Sequence, residues 1–271
     1  MAHLSLRLRQ AGALLSALAL AAAPAAAITI PALDAGFVTV AGGSAKGDGT
    51  VTAVAKYNYS VGFELHYGTG ALGSPLSPML RRNYFVFDLS ALSGTITSAT
   101  LLLWAGKLES ADSSELYGLK EITDMATALG LGSALAAGTS VTEFSSPSSP
   151  LVLAAASLYG KIGDGPLILG SLAITHAMDD TFISIAFTPG GLGYLNGFVG
   201  AKVMLGGLVG SVLPPAFPQQ PFGFTGPDIV AGDITTPKLV LGLVPEPAAL
   251  WQLLVGLLVL AALAQRWPRR R

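Results

Sequence analysis

Few side chains between residues 28 and 244 have the chemistry to act on a substrate. The two histidines there, His66 and His176, have no Gly-x-Ser-x-Gly elbow and no His-Glu-x-x-His helix beside them, and each reads as an ordinary surface or turn residue. The chain has no cysteine, which excludes disulfides, thiol chemistry and Cys-based zinc sites. Carboxylates pair at Asp179-Asp180, at Asp112 with Glu115, and at Asp228 with Asp233. Oxygen donors in loops suit Ca2+. Paired carboxylates also suit glycoside hydrolysis, which requires a set separation that sequence does not supply. The ordinary reading of each pair is a solvated loop, so no cofactor is expected beyond Ca2+ as a candidate. Tyr57, Tyr59, Phe63 and Tyr67 cluster in sequence, and Trp104 is the one tryptophan outside the C-terminal stretch. Aromatic rings of this kind serve as sugar platforms or fill a core, and strand alternation sends half of them inward. Gly68-Thr-Gly-Ala-Leu-Gly73 fits a Gly-x-Gly-x-x-Gly string, but Ser74-Pro75 follows it where a dinucleotide site needs a helix. Gly42 to Gly47 lacks the lysine of a phosphate loop.

The elements that position these residues read as short strands punctuated by Gly, Pro and Ser. The strongest is Tyr84 to Leu89, with Phe85, Phe87 and Leu89 on one face and Tyr84, Val86 and Asp88 on the other. Asp88 has the short side chain to cap the turn that follows. Further strands are expected at 58–63, 95–105, 114–119, 167–175, 181–188, 202–205 and 237–243. Residues 41–49, 68–78 and 145–150 read as loops. Residues 122–135 allow a short helix that Gly130 and Gly132 should break early. One or two helical turns fit 190–199. Many short strands in a stretch of this length predict a mainly β domain, a jelly-roll-like β-sandwich.

The two ends differ from this middle. Arg7 and Arg9 precede an apolar run, Ala11 to Ala23, and Ala25-Ala26-Ala27 offers a small-x-small cleavage site. Residues 1–27 therefore read as a signal peptide, with the mature chain starting at Ile28. Residues 28–244 form the expected ectodomain, with nine basic residues against fifteen acidic ones and a formal charge of −6. An acidic module has no electrostatic footprint for nucleic acid. At the other end stands Pro245-Glu246-Pro247, followed by an uncharged run from Ala248 to Ala264. At 1.5 Å per residue that run spans roughly 25 Å as a helix, close to a bilayer core. Trp251 and Trp267 flank it, and Arg266, Arg269, Arg270 and Arg271 would hold its end in the cytoplasm.

This C-terminal order resembles the PEP-CTERM sorting signal of exopolysaccharide-producing Gram-negative bacteria. The resemblance covers residues 245–271. It implies that Pro245, Glu246 and Pro247 are recognised by a membrane enzyme, exosortase, and that residues 248–264 hold a precursor in the inner membrane before release to the cell surface or extracellular matrix. The other reading of the same residues is a plain anchor that is never cut. Within the middle, Arg82 to Leu103, with its Phe87-Asp-Leu-Ser90 and Ser98-Ala-Thr-Leu101, resembles the signature of DNRLRE-type jelly-roll modules of secreted bacterial proteins. Tyr159-Gly-Lys-Ile-Gly-Asp-Gly165 and Phe222-Gly-Phe224 resemble pieces of other PEP-CTERM ectodomains. These resemblances imply a structural or adhesive surface protein of an exopolysaccharide or biofilm matrix, with a carbohydrate-binding, lectin-like module as the alternative. An enzyme has no motif behind it and is not expected.

Overall fold

The structure is a computed structural model and describes residues 26–39, 44–46, 59, 61–66, 77–106, 108, 110, 112–137, 150–210, 219–222, 236–244 and 255–258. It is mainly β and every strand pairing is antiparallel. The strands are β1 (Ala26–Pro31), β2 (Asp34–Thr39), β3 (Ser44–Lys46), β4 (Val61–His66), β5 (Ser77–Asp88), β6 (Thr95–Ala105), β7 (Ser114–Lys120), β8 (Ile168–Thr175), β9 (Thr181–Ala186), β10 (Lys202–Val209), β11 (Gln219–Phe222) and β12 (Lys238–Val244). Among the described residues three α-helices join them: α1 (Met125–Ala137), α2 (Pro150–Lys161) and α3 (Pro189–Asn196). One sheet has the order β1-β12-β6-β9. The other has the order β11-β4-β5-β10-β7-β8, with β2 pairing to β5 and β3 to β2.

Alternation places the core. On β6, Ala99, Leu101, Leu103 and Ala105 are buried, while Thr100, Leu102 and Trp104 face outward and stay partly exposed. On β5, Phe85 and Phe87 join Leu101, Leu103, Ile183, Ile185, Leu239 and Leu241 in one cluster drawn from both sheets. Tyr84 and Val86, on the opposite face of β5, join a second cluster with Ala128 and Leu135 of α1, Ala155 and Leu158 of α2, and Met204 of β10. The outer face of the larger sheet is thus covered by two helices. Burial on both faces explains why residues 84–87 are uninterruptedly apolar.

The sequence-based expectations hold best where alternation is strict. The strand expected at 95–105 is β6, and the turn between β8 and β9 starts at His176. Ser90 donates its N–H to Asp88 Oδ1 at 2.9 Å, the expected cap of the turn after β5. Thr188 caps α3 by accepting from Gly191 N at 3.0 Å, with Pro189 at the first helical position. Four expectations need correction. Pro150, expected to end a loop, opens α2, where its missing N–H costs no helical bond. Residues 44–46 of the expected glycine-rich loop pair with β2 as β3. Ser77 and Pro78, expected in a loop, open β5. Gly130 and Gly132 do not break α1, which runs through both. A Cβ on Gly132 would stand 2.9 Å from Met204 Cε, so this glycine lets the helix approach β10. Packing over the sheet outweighs the glycine cost, which is about 1 kcal/mol per residue in propensity alone.

The first and last strands among the described residues pair. Ala26 pairs with Leu243 and Pro31 with Lys238, so β1 lies along the last strand before Pro245. β1 starts two residues inside the expected leader. Cleavage after Ala27 would leave Ile28 to Pro31 on β12. Pro245, Glu246, Pro247 and the arginines at 266 and 269–271 lie outside the described residues. Of the expected span at 248–264, residues 255–258 form a helical turn. Among the described residues no helix is long and apolar enough to cross a membrane.

Nothing lies within 4 Å of a Cβ built on Gly130. Gly130→Ala should therefore raise unfolding free energy by about 1 kcal/mol in chemical denaturation, the full propensity gain. Gly132→Ala should gain less, because its methyl must displace the Met204 side chain.

Candidate functional site

Four of the six carboxylates singled out from sequence, Asp112, Glu115, Asp179 and Asp180, lie at the end of the sheets where β6 and β8 finish and β7 and β9 begin. Asp179 Oδ1 accepts from Leu108 N at 2.9 Å, and Asp180 N donates to Gly106 O at 3.1 Å. These bonds tie the 176–180 turn to the loop after β6. Asp180 takes a left-handed φ of 55°, which its short polar side chain tolerates. His176 Nδ1 lies 3.5 Å from Asp179 Oδ2. In the facing loop, Ser110 donates to Glu115 Oε1 at 2.5 Å, and Asp112 N donates back to Ser110 Oγ at 3.0 Å. Glu115 is fully buried. Asp179 and Glu115 thus hold loops in place. Among the described residues no group of three or more His, Asp or Glu side chains converges in a metal-binding arrangement. Asp228, Asp233 and the side chain of His66 lie outside what is described.

The aromatic residues divide between core and surface. Tyr59 is buried between the sheets. Its hydroxyl donates to Trp104 O at 3.0 Å and accepts from Trp104 N at 3.1 Å. The physical reason is the register of the smaller sheet. β12 pairs with β6 only as far as Lys238 opposite Leu102, so Trp104 has no ladder partner on that side. The Tyr59 hydroxyl takes that place. With both backbone groups of Trp104 turned toward Tyr59, the Trp104–Phe182 pair across β6 and β9 is non-hydrogen-bonded, the kind that brings side chains closest. The two rings meet edge to face with centroids 5.3 Å apart on the outer face of the smaller sheet. Phe182 is 39% exposed, and Lys238 Nζ stands 5.5 Å over its ring. Tyr57, Tyr67 and the Phe63 side chain lie outside the described residues. Phe182 was not singled out from sequence, although its place across from Trp104 follows once β6 and β9 are paired.

Tyr59 also anchors a network that sequence reading missed. Asn83 is fully buried on the inward phase of β5, shared with Phe85 and Phe87. Its amide donates to Tyr59 O at 3.0 Å, and its carbonyl oxygen accepts from Tyr117 Oη at 2.9 Å. A methyl on Gly207 would land on both the Tyr117 hydroxyl and the Asn83 carbonyl oxygen, so this strand position is reserved for glycine. The usable signal was a polar side chain at an inward strand position, which must find partners.

Arg82, on the other phase of β5, reaches the helical layer. Its Nη1 donates to Tyr159 O at 2.8 Å and to Ile162 O, and its guanidinium lies 4.2 Å from the centre of the Tyr159 ring. It thereby caps the C-terminus of α2, where carbonyls lack intrahelical donors and a cation is favoured. The two sequence pieces that carry separate resemblances, one starting at Arg82 and one at Tyr159, are thus a single contact. Compared with known proteins, the chain matches no family model and no curated protein.

Burial pushes the phenols of Tyr59 and Tyr117 well above their ordinary value, and that of Tyr194 up to about 12. In the unfolded chain these groups ionise near pH 10, while in the fold they keep their protons. Stability is therefore fully present below about pH 10 and falls as pH rises above it, by about 1.4 kcal/mol per unit for each phenol that stays neutral. Denaturation curves between pH 8 and 11.5 should show this decline. Tyr59→Phe should flatten the slope. It should also cost about 1–3 kcal/mol at neutral pH, because the Trp104 N–H and C=O lose their partner.

Proposed function

We propose that this chain is an exported surface or extracellular-matrix protein, sorted through Pro245-Glu246-Pro247 by an exosortase and serving a structural or adhesive role in exopolysaccharide. The observation that carries this reading is the pairing of Ala26 with Leu243. The expected leader junction and the expected sorting signal leave from one end of one sheet, so a single membrane surface can serve both. Val244 ends its strand directly before Pro245, and an extended proline-flanked segment is what a processing enzyme can grip. The fold is read as a jelly roll, and its support is strand order. β1-β12-β6-β9 faces β5-β10-β7-β8, and the chain changes sheet from β1 to β2, β5 to β6, β6 to β7, β8 to β9, β9 to β10 and β11 to β12.

A second reading, a lectin-like carbohydrate-binding module, is favoured by the outer face of the smaller sheet. Trp104 and Phe182 supply an aromatic edge there, and Lys238 is the one charged residue in its four strands. Val244 pairs with Thr95 and Lys238 with Leu102, so this edge lies at the end of the sheet away from the tail, roughly 20 Å distant at 3.3 Å per residue. A domain tethered at Val244 turns that edge away from the bilayer and toward matrix polysaccharide.

The sorting reading is tested by the mature mass of the protein from a host with an exosortase and from one without. The tail should be removed only in the first, and Glu246→Ala should slow its removal while leaving the folded domain exported. Identical full-length tails in both hosts would reduce the stretch to an anchor. The lectin reading is tested by glycan-array binding. Trp104→Ala should weaken any glycan bound at this edge about 5–10-fold, the worth of roughly 1 kcal/mol of aromatic contact, with thermal unfolding little changed.

A further inference from the structure

β5 changes neighbours partway along its length. Asn83 pairs with Phe37 of β2 on one side and Gly207 of β10 on the other. Arg81 pairs with Thr39 of β2 and with Gly62 of β4. β10 and β4 therefore lie on the same side of β5, end to end, and the handover falls at Arg82. A cleft of about 200 Å3 opens at this junction, lined by Leu80, Arg81, Arg82, Tyr159, Leu208 and Gly210. Arg82 brings its guanidinium to it, whereas Arg81, on the inward phase of β5, is buried with its guanidinium over the Phe37 ring; among the described lining residues there is no carboxylate. A cation at this cleft runs against the formal charge of −6 over residues 28–244.

Arg82 is held for such a role. Its Nη1 is taken by the Tyr159 and Ile162 carbonyls and its plane is stacked near Tyr159. Its Nε and Nη2 have no protein partner among the described residues, and neither is among the buried atoms left without one. Fixing one nitrogen fixes the plane, and the remaining N–H edge is the fork that grips a carboxylate or sulfate in two parallel bonds. The volume lies below the usual range of ligand pockets, about 300–1,000 Å3, which limits the cleft to a small group. The cleft also faces away from the tail. β5 runs from Arg82 to Asp88, and the turn after Asp88 leads to Thr95, the partner of Val244.

The geometry points to the Arg82 cleft as a binding site for an anionic sugar unit, a uronate carboxylate or a sulfate ester, of an extracellular polysaccharide. The assignment of the occupant to a polysaccharide rests on the matrix reading above. The processing assay reads the tail and not the cleft, so each can fail alone.

The test uses the full-length protein in detergent and isothermal titration with three probes: a galacturonate oligomer, a sulfated galactan oligomer and an uncharged glucan oligomer. Two variants accompany it. Arg82→Gln removes the fork and also the α2 cap. Gly210→Asp sets a carboxylate at the cleft and leaves every Arg82 bond in place. A Cβ at Gly210 meets only Leu116 atoms, at 3.7 and 3.8 Å, ordinary contact distances, so this variant should fold. The expected result is binding of one or both anionic oligomers, weakened at least tenfold in both variants and by added salt. Which oligomer binds identifies carboxylate or sulfate. Binding unchanged in Gly210→Asp, binding of the glucan alone, or no binding of either anionic probe would each overturn the site. Glucan binding lost in Trp104→Ala would assign recognition to the outer sheet face instead.

Discussion

The two sheets are joined through one buried amide. Asn83 holds the Tyr59 carbonyl with one end and the Tyr117 hydroxyl with the other, and the Tyr59 hydroxyl closes the path on the backbone of Trp104. The path starts in the larger sheet and ends in the smaller one. Buried polar groups are costly without partners, so this network works only in one relative placement of the sheets. An apolar core of Leu, Ile and Phe tolerates sliding, whereas a satisfied chain of hydrogen bonds does not. Gly207 belongs to the same constraint, because the Asn83–Tyr117 bond occupies the space a side chain would need.

Burying β5 on both faces has a second consequence. Its inward phase packs against the smaller sheet and its outward phase against α1 and α2. Arg82 sits on the outward phase and is drawn into the helical layer, where it caps α2. One strand therefore fixes both the sandwich and the position of the helices over it.

Ala26–Pro31 and Lys238–Val244 are brought together as β1 and β12, and the aromatic edge and the cleft at Arg82 lie toward the opposite end. Tethering at Val244 would separate a membrane-facing end from an outward-facing one. At the end of the sheets opposite Val244, Asp179 holds Leu108 and Glu115 holds Ser110, so these two carboxylates fix the loops there.

The sequence by itself determined the mainly β class, the extent of β6, the turn at Asp88 and the helix after Thr188, because each depends on local alternation or on a cap within a few residues. It also supplied the order of segments at the tail, which is a matter of composition along one line. It did not determine α2, whose apolar residues read as helix only once a sheet lies beneath them, nor the survival of α1 through Gly130 and Gly132, since local propensity opposed what packing against Met204 supports. The Asn83 network, the Trp104–Phe182 edge and the handover of β5 from β10 to β4 join residues far apart in the chain, as Asn83 is from Gly207. Only the register of the folded sheets brings them together, and pairing register over such distances is set by the fit of whole faces, not by any neighbouring residue.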